Sequence, residues 1–260
     1  MDLLEAWAAW RPEAPPFVLD GDRKIMESAR SARSVVTHAD WNAALRAPDF
    51  AAPGDTRLHL GLLPQPFVGD LRRASVYVLL LNPGLGTGNY FAEYEVPAFR
   101  DALLATLHQK FSDGMTPFVF LDPRFAWEGG FWHWHRKLAA VIGRLASIWN
   151  VSFAEARTRL ASSIASIELF PYHSASFRDP DRWLSRLPSV RLAREFVADH
   201  VLPRVRRGEA IVIATRKVAL WDLPAGPGVI LYARGHARAA HLTPESPGGR
   251  AILEHLTRKR

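Results

Sequence analysis

The chain contains no cysteine. Disulfides, thiolate zinc sites, cysteine nucleophiles and cysteine-bound iron–sulfur clusters are therefore excluded. Long apolar runs are missing too. The densest, Val76-Tyr77-Val78-Leu79-Leu80-Leu81, has the length of a strand, far short of the roughly 20 residues that cross a bilayer, so no membrane span is expected. A basic leader is lacking: Asp2 and Glu5 stand at the amino terminus, and Arg11, Pro12 and Glu13 interrupt the apolar stretch behind them. Neither a secretory signal nor a transit peptide is expected, and a cytoplasmic compartment is. Acidic residues are the scarcer charge, 26 against 33 Lys and Arg, for a formal net charge of +7. That excess admits a polyanionic partner without requiring one, because arginine also forms surface salt bridges.

What remains is the balance of an ordinary globular protein, 260 residues with 48% apolar and 23% charged, enough to bury a substantial core in one domain. No repeat or low-complexity tract breaks it. Residues 1–65 read as an irregular amino-terminal wrap on that domain, with short helices at 3–10 and 40–46 around a proline-rich turn at 12–16. Four short apolar segments bounded by breakers then read as buried strands, at 75–81, 164–169, 210–214 and 228–232. Between and after them lie helical patterns at 97–110, 136–149, 153–160, 190–206 and 248–258. Strands alternating with helices predict an α/β fold, a three-layer α/β/α sandwich around a central four-stranded parallel sheet. In such sheets ligands bind beyond the carboxyl ends of the strands.

Beyond the first strand, Asn82-Pro83-Gly84-Leu85-Gly86-Thr87-Gly88-Asn89-Tyr90-Phe91 offers an asparagine and close backbone approach. Its glycines fit neither the dinucleotide fingerprint nor the lysine-containing nucleotide loop, and a plain strand-to-loop turn stands beside the functional reading. Beyond the second strand, Glu168, Tyr172, His173 and Ser174 gather a carboxylate, a phenol, an imidazole and a hydroxyl. Glu168 falls inside the apolar stretch, where a buried carboxylate needs partners. His173 reads equally as a site residue or a surface histidine after Pro171. Past the fourth strand, residues 232–250 mix arginines, histidines and turn formers. Such a loop could enter a DNA groove with Arg238 and Ser246 on phosphates and His241 toward a ligand, or be an ordinary basic loop. The aromatic run Phe131-Trp132-His133-Trp134-His135 could stack on a base or fill the core. His133 and His135 lack a third ligand nearby in sequence, so no metal site is expected.

These motifs resemble the uracil-DNA glycosylase superfamily, especially its Asn-Pro-Gly branches, the mismatch-specific thymine/uracil and single-strand-selective enzymes. Pro66-Phe67-Val68-Gly69-Asp70, Val76 to Leu81 and Asn82-Pro83-Gly84-Leu85 look like its lead-in, central strand and first motif. His241-Leu242-Thr243-Pro244-Glu245-Ser246 is similar to its His-Pro-Ser-Pro leucine loop, departing at the second and fifth positions. Glu168 stands where the family places an asparagine for uracil recognition, which leaves the preferred base open. The resemblance implies a monofunctional enzyme that flips uracil out of DNA and hydrolyses its glycosidic bond, leaving an abasic site, with no cofactor and as a monomer. Asn82 would position the attacking water and His241 would stabilise the departing base. Pro83, Gly84, Glu168, Tyr172 and His173 would line the pocket, and Phe91 or Tyr90 would stack on the base. Arg238, Thr243 and Ser246 would touch DNA, and Leu242 would wedge into the vacated stack. Two other readings stand beside this one. The first is a non-catalytic binder of damaged DNA. The second is a hydrolase of free nucleosides or nucleotides using His173, His241 and Glu168.

Overall fold

The structure, a computed structural model, describes residues 1–258 apart from 12, 29–31, 53, 180–181 and 233–241, and at residue 32 the backbone alone. It is an α/β protein whose chain forms two compact units. One comprises Met1–Pro66, Asn82–Lys110 and Glu168–Phe196, and the other Phe67–Leu81, Phe111–Ile167 and Val197–Arg260. Residues 1–65 thus share the first unit with the segments that carry the Asn82 and Tyr172 loops.

In the first unit, α1 (Leu3–Ala9) opens with a capping box, the Asp2 carboxylate accepting the Glu5 N–H while Glu5 reaches back to the Asp2 N–H. It packs on α8 (Pro188–Phe196), as does α2 (Asp20–Met26). A parallel pair joins β1 (Val35–Val36) to β2 (Leu58–His59). The Asp40 side chain caps α3 (Trp41–Leu45), which packs on α4 (Asn89–Glu95), and α4 meets α5 (Pro97–Leu107). The sequence does not announce α2 or α4. Neither has a side-chain hydrogen bond at its cap, and α4 starts inside a glycine-rich stretch whose composition disfavours helix.

The second unit holds a five-stranded mixed sheet. Its strands are β3 (Phe67–Val68), β4 (Val76–Leu80), β5 (Ile164–Glu168), β6 (Ile211–Ala214) and β7 (Val229–Leu231), in the order β3-β5-β4-β6-β7. β4 pairs in parallel with β6, with Val76 opposite Ile211, and β6 in parallel with β7. Four strands lie within the segments predicted from sequence. The all-parallel four-stranded sheet does not hold: β3 adds a fifth strand, antiparallel to β5, with Phe67 opposite Ile167. A pair of residues between prolines and a glycine carries no readable period. The pairing closes because Gly69 adopts φ +99 and has no Cβ, which would sit 2.6 Å from the Ile164 carbonyl oxygen.

Around this sheet, α9 (Leu202–Arg206) packs on β6, and α10 (Pro247–Thr257) on β6 and β7. The long α6 (Gly129–Trp149) packs on α7 (Phe153–Ala161) and α10. Phe131, Trp134, Leu138, Val141, Ile142 and Leu145 form its buried stripe, each such side chain stabilising the fold by about 1.5–3 kcal/mol. It begins before the sequence-predicted start at Arg136 because the Glu128 carboxylate caps the Gly130 N–H. Among the described residues, no helix is long and apolar enough to cross a membrane.

Candidate active site

The loop after β4 is fastened by the segment after β5, all of it within the first unit. Ser174 pairs with Gly84 as an isolated parallel bridge, and its N–H donates to the Pro83 carbonyl at 3.2 Å. The Asn82 amide Nδ2 donates to Ser174 Oγ at 2.9 Å, the Pro83 carbonyl at 3.0 Å and the Tyr172 carbonyl at 3.3 Å. These acceptors turn the amide of a half-buried side chain so that Oδ1, which takes no bond from the described residues, is the group left over. A fixed amide oxygen can accept a hydrogen bond from a water or hydroxyl and hold its oxygen in one place.

His173 is part of the fastening. It is buried, its Nδ1 stands 2.8 Å from the Gly84 carbonyl oxygen and its Nε2 3.2 Å from that of Leu63. Burial pushes its imidazole down to about 4, against the two carbonyls, which favour the cation. At neutral pH the ring therefore carries one proton, which the shorter distance places on Nδ1. Both nitrogens face protein carbonyls, so neither is presented to a substrate. Tyr172 is likewise committed to the interior. Its hydroxyl donates to Asp22 Oδ2 at 2.6 Å and accepts the Leu19 N–H at 3.2 Å. Asp22 also takes the Ser189 N–H at 3.0 Å, and its carboxyl is raised first by burial, against these hydrogen bonds. Glu168 is buried, its N–H bonded to the Pro66 carbonyl at 2.8 Å.

Tyr90 and Phe91, adjacent in α4, part ways. Tyr90 is buried and its phenol is raised first by burial, whereas Phe91 is 42% exposed and meets Trp41 edge to face at 5.9 Å between centroids. Trp41 also meets Phe50 at 5.9 Å. Phe91 is thus the more exposed ring of the pair.

A polar chain absent from the sequence reading lies behind Tyr90. His59 Nε2 stands 3.3 Å from Asp55 Oδ2, and its Nδ1 3.3 Å from the Tyr90 hydroxyl. A carboxylate can only accept, so the proton sits on Nε2 and Tyr90 donates to Nδ1. Burial lowers the His59 imidazole against the pull of Asp55. Asp55 is held well below the usual carboxylate range, chiefly by its hydrogen bond to Arg57, which also pairs with Asp49. The backbone ties this chain to the site, since the His59 N–H donates to the His173 carbonyl at 2.9 Å. The signal that could have found it is the alternation Asp55-x-Arg57-x-His59 just before an apolar run.

In the second unit, Leu242 is 1% exposed, and Leu242 Cδ2 lies 2.7 Å from where a Cβ on Gly248 would be. It is a core residue here and is not presented as a wedge. The Ser246 hydroxyl caps α10, accepting the Gly249 N–H at 3.0 Å and donating to the Thr243 carbonyl at 2.8 Å. Thr243 itself is half-buried. Arg238 and His241 lie outside the described residues. Among the described residues no cluster of His, Asp and Glu could hold a metal ion. No protein-family model, no curated protein and no solved structure matches this chain.

Proposed function

We propose that this chain is a monofunctional DNA N-glycosylase of the uracil-DNA glycosylase type, hydrolysing the bond between a flipped base and its deoxyribose. The observation that carries the reading is Asn82. Its NH2 group is spent on Ser174, Pro83 and Tyr172, and its oxygen is left to hold a water. Uracil departs as a delocalised anion while the sugar becomes oxocarbenium-like, so an oriented water and donors to the leaving base suffice without a strong general base. Phe91, which meets Trp41 edge to face, supplies the stacking ring. In this reading His241 meets the developing charge on the base, Arg238 lies on phosphate, and the sheet and its helices form the central layers of the superfamily's sandwich. The enzyme acts on DNA in the cytoplasm as a monomer, without a cofactor. Glu168 replaces the uracil-reading asparagine, so the preferred lesion is left to experiment.

A nucleoside hydrolase driven by His173 is disfavoured, because both ring nitrogens of that histidine face backbone carbonyls. The direct test is incubation with labelled oligonucleotides carrying one uracil opposite guanine, opposite adenine or unpaired, followed by alkaline cleavage of abasic sites. Strand breaks that depend on uracil are the expected outcome. Salt-sensitive binding without breaks across these and other deaminated or oxidised bases would replace the enzyme with a non-catalytic binder of DNA.

A further inference from the structure

The second unit carries a group of basic side chains, Arg136, Lys137 and Arg216 with the imidazole of His133 among them, for which the proposed reaction has no use. His133, Arg136 and Lys137 stand at i, i+3 and i+4 in the first turns of α6, the spacing that puts side chains on one helix face. Arg216, just past the end of β6, acts on both His133 and Lys137 as a neighbouring charge. Burial is the first cause lowering the Lys137 ammonium, followed by Arg216 and Arg136, and burial followed by Lys137, Arg136 and Arg216 lowers the His133 imidazole. The salt bridges found among the described residues include neither Arg136 nor Arg216, although others nearby in sequence, Arg124 and Arg159, are paired with Asp122 and Glu155.

Like charges gathered on one face destabilise a helix unless something of opposite sign covers them. Two indoles precede the group in sequence, and Trp132 stands one turn before Arg136 on α6. Trp132 is 51% exposed and Trp127 48% exposed, although Trp134 and Phe131 between and beside them are buried. Exposed aromatic faces interleaved with arginine and lysine match what a single strand of nucleic acid presents, a line of phosphates and bases with open π-faces. A duplex hides those faces in its stack, and a membrane-binding helix segregates its cations from a broad apolar face. Here α6 turns its broad apolar stripe inward.

We propose that this face of α6 binds a single DNA strand, with phosphates on Arg136, Lys137 and Arg216 and an unpaired base stacked on Trp132. The choice of DNA over RNA rests on the glycosylase reading; the strand-binding face itself does not. The test is a fluorescence anisotropy titration of labelled oligothymidine, free of any lesion, against the full chain, the Arg136→Ala/Arg216→Ala double variant, Trp132→Ala and Trp132→Phe. Thermal unfolding of each variant checks that the fold is intact. The double variant should bind about tenfold more weakly or worse, and lower the slope of log affinity against log salt by about 0.7 per lost phosphate contact. Trp132→Ala should weaken binding by about tenfold, with recovery in Trp132→Phe, which keeps a stacking face. The proposal is overturned if the wild-type chain does not bind the oligothymidine, if the variants bind it like wild type, or if the same losses appear for a matched duplex or for anionic phospholipid vesicles. Product formation by the glycosylase assay is read separately, so an enzyme whose variants bind like wild type sinks only this proposal, and an inactive chain whose variants lose the strand sinks only the glycosylase.

Discussion

At the scale of single residues, the account turns on how tightly Asn82 is held. Ser174→Ala removes the closest acceptor of its amide, Ser174 Oγ at 2.9 Å, and lets the carboxamide rotate. The rate of the chemical step in single-turnover excision should fall about tenfold with little change in DNA affinity. A loss confined to affinity would place Ser174 in binding instead. His173 makes a second, pH-dependent prediction. Its imidazole sits at about 4 in the fold against 6.5 when free, so between these values the unfolded chain holds more protons. The stabilisation is complete above the upper value and is lost as pH falls through the window, to a ceiling of about 3 kcal/mol. Buried His59, lowered in the same direction, adds to it. Denaturant midpoints measured at neutral pH and near the lower value should therefore converge in His173→Gln relative to wild type; parallel losses would remove His173 from this role. Of the residues the resemblance assigns, Asn82 is half-buried and Phe91 is 42% exposed. The pocket role the resemblance gives Tyr172 and His173, and the wedge role it gives Leu242, were beyond the sequence to check, because sequence shows which groups cluster along the chain and not that each finds a partner inside: Asp22 for Tyr172, carbonyl oxygens for His173, the core for Leu242.

At the scale of elements, legibility followed period and length. β4, β5, β6 and β7 are apolar runs bounded by breakers and could be read directly, as could the part of α6 from residue 136 onward, whose stripe continues through Leu138, Val141, Ile142 and Leu145. β3 could not be read, since its pairing with β5 depends on Gly69 bringing backbones together far apart in sequence. That dependence can be measured. Gly69→Ala forces a side chain onto a left-handed φ and a Cβ to 2.6 Å from the Ile164 carbonyl oxygen, and should cost about 2 kcal/mol or more in denaturant unfolding. An unchanged midpoint would mean that β3 contributes little to the sheet. Caps explain the remaining boundary errors. Glu128 starts α6 ahead of its first obvious periodic residue, and the glycines preceding α4 conceal a helix that carries both Tyr90 and Phe91.

At the scale of the whole molecule, a chain without cysteine and with 33 basic against 26 acidic side chains holds an asparagine clamped by its amide nitrogen. On the proposed reading the charge serves binding and the asparagine serves chemistry, so the two should separate by mutation. The measurement that tests this most directly compares wild type and Asn82→Ala on one uracil-containing oligonucleotide, recording abasic product in single turnover together with affinity. The account predicts that product formation falls at least about a hundredfold while affinity and thermal unfolding stay close to wild type. Undiminished product formation by Asn82→Ala would contradict it.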